Sequence, residues 1–359
     1  MKLCWSAHDG AIGSKSALGV ALAVAVAALL FPVSKAVAII DASLQMQLGN
    51  PTGATVDPTN HNDYLIQRPQ YALDYNDNRG QANWVSWDLT TSDLGSAARS
   101  TTFYPDTSLP AGFYVVPANA YSGSGWDRGH MCPSADRTAS RTDNDQVFLM
   151  SNMIPQNSSL NSGLWGDFES YCRSLLPTQE LLITCGPRNF GTATINNGGK
   201  IYIPSNCWKI VVCAPLGGGT ALGRITNANP ATIRVIAIDV TNAAQPGLGW
   251  TNFVTSAKEI QQLTGFTFFN ALPNNLAWVL RSKIDGQTSA APSISGFSPL
   301  SGPPSNSVII TGARLDTVTN VIFNGTVASY AITATNQITA SVPVGATSGP
   351  ITVRAAGQV

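Results

Sequence analysis

An α+β domain followed by a small all-β domain is the architecture this sequence predicts, on three observations. Between residues 64 and 285, alternating or apolar strand-like runs outnumber helical ones, and the helices are too few for a doubly wound parallel sheet. Gly286–Ser293 has the composition of a linker, placed at residues 286–291. Beyond it, every patterned run is strand-like and is separated from the next by Gly, Pro, Asn and Ser, which predicts a β-sandwich over 292–359. At 359 residues, with 11% charged and 44% hydrophobic residues, the chain is long enough for two cores and is not of disordered type.

The elements follow in order. Ala17–Val33 is an apolar run preceded by Lys15 and followed by Ala36-Val37-Ala38, so residues 1–38 are expected to be a secretory signal peptide. No later stretch is long and apolar enough to span a bilayer, and export admits disulfides. Residues 39–61 are a polar lead-in. Tyr71–Tyr75 and Asn83–Leu89 alternate around the turn-forming Asn76–Gly80, which predicts two antiparallel strands. Residues 90–125 are mostly loop. Asp145–Met150 is a candidate strand. Ser159–Leu176 carries Leu164, Phe168, Cys172 and Leu175 at helical steps and stops before Pro177, predicting one continuous helix. Buried strands are expected at Glu180–Cys185, Lys200–Ile203, Cys207–Val212 and Ile233–Val240. A capping box at Ser256–Glu259 opens a helix that Gly265 ends. In the last domain, strands are expected at Val308–Thr311, Asn320–Phe323, Gln337–Val342 and Pro350–Val353.

Charge excludes a simple class of nucleic-acid binder. The whole chain has 20 basic and 20 acidic residues. Without Lys2, Lys15, Lys35 and Asp9 of the leader it has 17 against 19, so bulk positive charge does not supply affinity for a polyanion. Outside the leader, Cys132, Cys172, Cys185, Cys207 and Cys213 make an odd count, so at least one thiol has no partner in the chain. Cys207 and Cys213 share a strand face too far apart to bond each other, and their pairing is otherwise open.

Of the three histidines, His8 is in the leader and His61 lies in a loop. His130 stands in Trp126-Asp127-Arg128-Gly129-His130-Met131, beside a carboxylate, a guanidinium and a glycine, and is the candidate acid–base group. Downstream, Asn161 and Glu169 are eight residues apart, which on a regular helix leaves them within about 80° of one face. An amide oxygen and a carboxylate on one face suit a hard, largely hydrated cation such as Mg²⁺. Taken singly, Asn161 is more often a helix cap, Glu169 a solvated charge and Trp165 a core residue. Together with His130 they point to metal-assisted phosphodiester hydrolysis.

These motifs resemble the DNA/RNA non-specific endonucleases with a ββα-metal active site. The likeness rests on Trp126–Met131 with Pro133–Arg137, on Met150–Gln156, and on Asn161, Trp165 and Glu169. It extends to Tyr71–Leu89 upstream and to Thr184–Pro187, Ile203-Pro204, Trp208-Lys209 and Glu259–Gly265 downstream, over residues 62–285. The resemblance implies a central antiparallel sheet and His130 as the general base that activates water. It implies Asn161 as the direct ligand of one Mg²⁺, with Mn²⁺ or another divalent cation able to substitute, and Glu169 as the holder of a metal-bound water. Asn152 is expected to orient the site, Arg128 to engage phosphate, and Arg79 to be a second, transition-state arginine. Substrates would be DNA and RNA cut internally through backbone contacts without sequence preference, leaving 5′-phosphates. Cys132 departs from the small residue common at its position.

Residues 292–359 resemble an IPT/TIG immunoglobulin-like domain, on Pro292–Pro303, Val308–Gly312, Val321–Gly325 and Val342–Ile351, with the family's usual last strand unaccounted for. Such a domain implies a spacer or a module that binds protein or carbohydrate. The whole is expected to be a secreted or periplasmic bacterial enzyme. The competing readings are a binding protein built on an inactive nuclease domain, which the intact His130, Asn161 and Glu169 weigh against, and a phosphodiesterase of smaller substrates.

Overall fold

The computed structural model describes residues 44–195, 199–286, 292–313, 315, 318–334 and 336–355; the expected signal peptide and most of the linker lie outside them. Contacts divide the chain into two compact units, one within Asp41–Thr288 and one within Ser289–Val359.

The first unit is built on a seven-stranded sheet. Its strands are β1 (Tyr64–Gln67), β2 (Ala72–Asn76) and β3 (Gln81–Leu89), followed after a long excursion by β6, β7, β8 and β9. The excursion holds β4 (Asp127–His130), α1 (Arg141–Gln146), β5 (Met153–Gln156), α2 (Ser158–Leu160) and α3 (Gly166–Leu175). The chain then returns through β6 (Gln179–Thr194), β7 (Tyr202–Pro215), α4 (Ala221–Asn227), β8 (Arg234–Thr241), β9 (Val254–Thr255), α5 (Ala257–Thr264) and α6 (Asn274–Arg281). The order across the sheet is β1-β2-β3-β6-β7-β8-β9, and every neighbouring pair is antiparallel.

Period-two alternation gives this sheet two covered faces. Leu73, Val85, Trp87, Ile183, Cys185, Val211, Ile236 and Ile238 pack on one face with Phe148, Trp165 and Phe168 from the excursion. Ala72, Trp84, Leu182, Trp208, Ile210, Val212 and Val235 pack on the other with Ile225, Ile260 and Leu280 from α4, α5 and α6. Burial on both faces explains why β2 and β3 are buried at every position although their sequences alternate. Residues 44–61, expected as a lead-in, contribute Met46, Leu48 and Ala54 to the second face.

Three expectations change. Asp145–Met150 is not a strand: Ser140 caps α1 by accepting from the Asp143 N–H, and Val147 and Phe148 reach the core from the turn after that helix. The segment from Ser158 is not one regular helix. A π-turn over Asn161–Trp165, with Gly163 at φ −100° and ψ −115°, separates α2 from α3. Lys200–Ile203 is not a separate strand, since Tyr202 and Ile203 begin the continuous β7. The helix start and stop behave as expected, the start through the serine cap alone: Ser256 accepts from the Glu259 N–H, and Gly265 ends α5 at φ +77°.

The second unit is all β. One sheet has the order β10 (Ser293–Ser298), β11 (Ser307–Ala313), β15 (Gln337–Ser341), β14 (Tyr330–Ala334). The other has the order β13 (Thr326–Ala328), β12 (Val318–Phe323), β16 (Ile351–Ala355). Phe297, Val308, Ile310, Val321, Phe323, Ile338 and Val353 form its core.

Candidate active site

The site begins with β4 and β5, a two-stranded antiparallel pair that runs into α2 and α3. Gly129 faces Ile154 in that pair, and a Cβ at 129 would come within 2.3 Å of Gln156 Oε1 and 2.6 Å of its Cβ. The glycine of the Asp-Arg-Gly-His block therefore answers a close approach between the strands rather than an unusual backbone angle.

His130 ends β4. Its ring meets Phe148 edge to face, with centroids 4.7 Å apart, and is tilted against Phe103 at 5.7 Å. Burial, then the charges of Arg99 and Arg128, push its pKa down to about 3, so the imidazole is neutral at working pH. Its Nε2 is buried and has no hydrogen-bond partner among the described residues. An orphaned ring nitrogen of a neutral imidazole is costly unless a small donor or acceptor reaches it.

Asn152 does not face the cleft. It is fully buried, its Oδ1 accepting from the Cys132 N–H at 3.0 Å while its Nδ2 donates to the carbonyls of Cys132 and Val147 at 2.9 and 2.8 Å. The Met131 N–H donates to the Asn152 carbonyl. Asn152 thus splints the chain just after His130.

Asn161 opens the π-turn. Its Nδ2 donates to Asp127 Oδ2 at 2.9 Å, and Asp127 Oδ1 accepts from the Ser158 hydroxyl at 2.7 Å. Asp127 therefore ties the start of the helical segment to β4. Asp127 holds the amide nitrogen, and no donor to the Asn161 Oδ1 is found among the described residues. A free amide oxygen with a carboxylate on the following helix fits a hard divalent cation that keeps most of its water.

Glu169 is ion-paired. Its Oε1 accepts from Lys209 Nζ at 2.8 Å. Lys209 is 1% exposed and projects from β7 toward α3, with its ammonium 4.5 Å from the Trp165 ring centroid and 5.4 Å from that of Trp87. Burial opposes its charge, but Glu169 together with Cys185 and Cys172 outweighs burial and holds the pKa above the ordinary lysine value. Trp87 donates through Nε1 to Asp136 at 3.0 Å, and Asp136 also pairs with Arg173 of α3 at 2.8 Å. The face beneath α3 is thus a satisfied ionic layer in an apolar surround.

The arginines divide. Arg128 lies over the Phe103 ring at 4.1 Å and donates to the Ala118 carbonyl at 3.0 Å. Arg79, expected as the second arginine, sits over Phe190 at 4.5 Å and donates to Asn83 at 3.4 Å; neither contact touches His130, Asn161 or Glu169. Arg99, which sequence reasoning missed, lies over Phe148 at 5.1 Å; its charge lowers the pKa of His130, and the charge of Glu169 acts in turn on Arg99. Lys209 is a second residue to which the sequence pattern assigns no role, although Trp208-Lys209 is part of the family resemblance. A lysine in an otherwise apolar strand run is the signal that finds it.

The five cysteines among the described residues are buried free thiols, and none of them forms a disulfide there. Burial raises the Cys132 thiol well above its ordinary value, so the thiol after Met131 is protonated.

A short strand pair, β4–β5, feeds a π-turn that presents the Asn161 amide and then a helix that presents the Glu169 carboxylate, the frame of the ββα-metal class of phosphodiester hydrolases. Comparison with known proteins agrees. The model of the DNA/RNA non-specific endonuclease family matches residues 48–275, and that of the IPT/TIG domain matches residues 292–358. A nuclease of Nostoc sp. is 42% identical over 244 residues, covering 68% of this chain and 86% of that protein. The mitochondrial endonuclease G of Bos taurus is 29% identical over 227 residues, covering 59% and 70%. An endonuclease G chain solved with its inhibitor, at 19% identity and a TM-score of 0.54, covers 68% of this chain and 95% of that one and shares the fold. The chain belongs to the DNA/RNA non-specific endonuclease family. It is a metal-dependent endonuclease that carries an IPT/TIG domain.

Proposed function

We propose that this protein is a secreted bacterial endonuclease that hydrolyses DNA and RNA alike, with His130 as general base and one Mg²⁺ bound through Asn161, leaving 5′-phosphates. The observation that carries the reading is the buried, unpartnered Nε2 of a neutral His130 on the strand that also presents Arg128. A water at that nitrogen would lose its proton to the ring as its oxygen bonds to phosphorus; the P–O3′ bond would break with its electron pair leaving on the 3′-oxygen, which takes up a proton from solvent water. Asn152 and the β4–β5 ladder hold the ring in place. Arg128 and Arg99 supply positive charge to the phosphate. Burial raises the Glu169 pKa and Lys209 works against that rise, while its hydrogen bond to Oε1 fixes the carboxylate that would hold a cation-bound water. A divalent cation held by Asn161 would neutralise charge developing on the phosphate oxygens. Export is supported by the apolar run Ala17–Val33 and its Ala36-Val37-Ala38 site.

The test is digestion of plasmid DNA and total RNA with Mg²⁺ or EDTA, with end-labelling of the products, beside His130→Ala. Cleavage of both polymers that needs the cation, yields 5′-phosphates and falls by about 10²-fold or more in the variant is the expected outcome. Undiminished cutting by well-folded His130→Ala would remove His130 from the role of base.

A further inference from the structure

The motif around His130 begins with a tryptophan to which the chemistry above gives no task. Trp126 is half-buried, and with Phe103, Tyr121, Ser122, Asp127, Arg128 and Asn161 it lines an open depression of about 260 Å³. The depression therefore combines the residue proposed to hold the cation, the arginine proposed to engage phosphate, and three aromatic rings. Phe103 already carries the Arg128 guanidinium on its ring, and Tyr121 is 5% exposed, which leaves Trp126 as the largest ring of the wall open to a ligand.

From this we propose that the depression is a nucleobase subsite, in which the base next to the phosphate being cut stacks on Trp126. The proposal rests on the nuclease reading of the neighbouring groups. A phosphate engaged at Arg128 and Asn161 brings its own nucleoside into the recess that those two residues line. The space is smaller than the roughly 300–1,000 Å³ of drug-sized pockets and suits one base and its sugar. Stacking also answers the charge of the chain, which has 20 basic and 20 acidic residues and no excess of cations to grip a polyanion. A ring accepts any base, because every base has a π-face, so the subsite adds affinity without sequence preference.

The test is equilibrium binding to the full chain carrying His130→Ala, with divalent cation present. The two probes are a thymidine tetranucleotide and a four-unit abasic backbone of the same charge. The expected result is a preference of roughly tenfold for the thymidine probe. It disappears on adding Trp126→Ala and returns in part with Trp126→Phe, while abasic binding and the salt slope stay unchanged. Equal binding of the two probes before Trp126 is altered, or an intact preference in a folded Trp126→Ala protein, would overturn the subsite. Plasmid cleavage by the unaltered chain is scored in parallel. A failure of the nuclease reading shows there, and a failure of the subsite shows in the binding data alone.

Discussion

The two faces of the seven-stranded sheet are equally buried but chemically unlike. On one, β7 presents Trp208, Ile210 and Val212 to α4, α5 and α6, and the packing is apolar. On the other, the same strand places Lys209 in a cross-strand row with Val85, Cys185 and Ile238, and the lysine meets Glu169 of α3. Neighbouring residues of one strand thus serve opposite purposes. The apolar face contributes stability through area removed from water. The ionic face contributes little net stability, because desolvating two charges offsets most of their attraction, and it fixes where a carboxylate sits.

The sharpest way to break that comparison is to remove the lysine. Lys209→Met leaves Glu169 without its partner and is expected to destabilise the protein by about 3–5 kcal/mol, read as a lower urea midpoint. The double variant Lys209→Met/Glu169→Gln removes both charges and should recover most of that stability without recovering cleavage. A double variant as unstable as the single one would mean that the lysine acts through packing on Trp165 and Trp87 rather than through Glu169. On the apolar face, Ile210→Ala should cost about 2–4 kcal/mol with the turnover of the folded enzyme unchanged. A selective loss of turnover at 20 °C, with the protein still folded, would show that the two faces are coupled.

Much of this was legible in the sequence, for reasons that differ by residue. Strand pairs such as Tyr71–Tyr75 and Asn83–Leu89 follow from alternation, and α5 follows from its Ser256 cap and Gly265 stop. The Asp-Arg-Gly-His block marks β4, with the glycine where β5 comes closest. What was not legible depends on contacts distant in sequence. The π-turn at Asn161–Trp165 breaks the 100° projection that had placed Asn161 and Glu169 on one regular helix. The pairing of Lys209 with Glu169 joins residues 40 positions apart. Arg99 lies in a loop with no periodicity, so only the fold brings it to Phe148 and His130. Arg79 sat in the turn that the sequence does mark, and its guanidinium is spent on Phe190 and Asn83.

The smallest effect sharpens the contrast through pH. Asp74 is fully buried, and one oxygen accepts from Thr52 at 2.7 Å and from Asn83 at 3.1 Å, while the other has no partner. Burial raises its pKa to about 7, against the hydrogen bonds from Thr52 and Asn83 and with the help of Asp63. A carboxyl with a raised folded pKa holds its proton in the native state where the unfolded chain has already lost it. Asp74 is therefore most favourable to the fold below about pH 4, and that contribution is lost as pH rises through 7. His130 has the opposite sign. Its folded pKa of about 3 means that the unfolded chain takes up a proton first as pH falls below about 6.5, so its neutral burial costs stability only on the acid side. Asp74→Asn should accordingly raise stability by a little under 1 kcal/mol at pH 5 and by roughly 2 kcal/mol at pH 8, about half of what the full shift would give at each pH if the site could not relax. Urea unfolding at the two pH values measures the difference. An equal change at both would place Asp74 in the native state as a carboxylate throughout, held by Thr52 and Asn83 rather than by a proton.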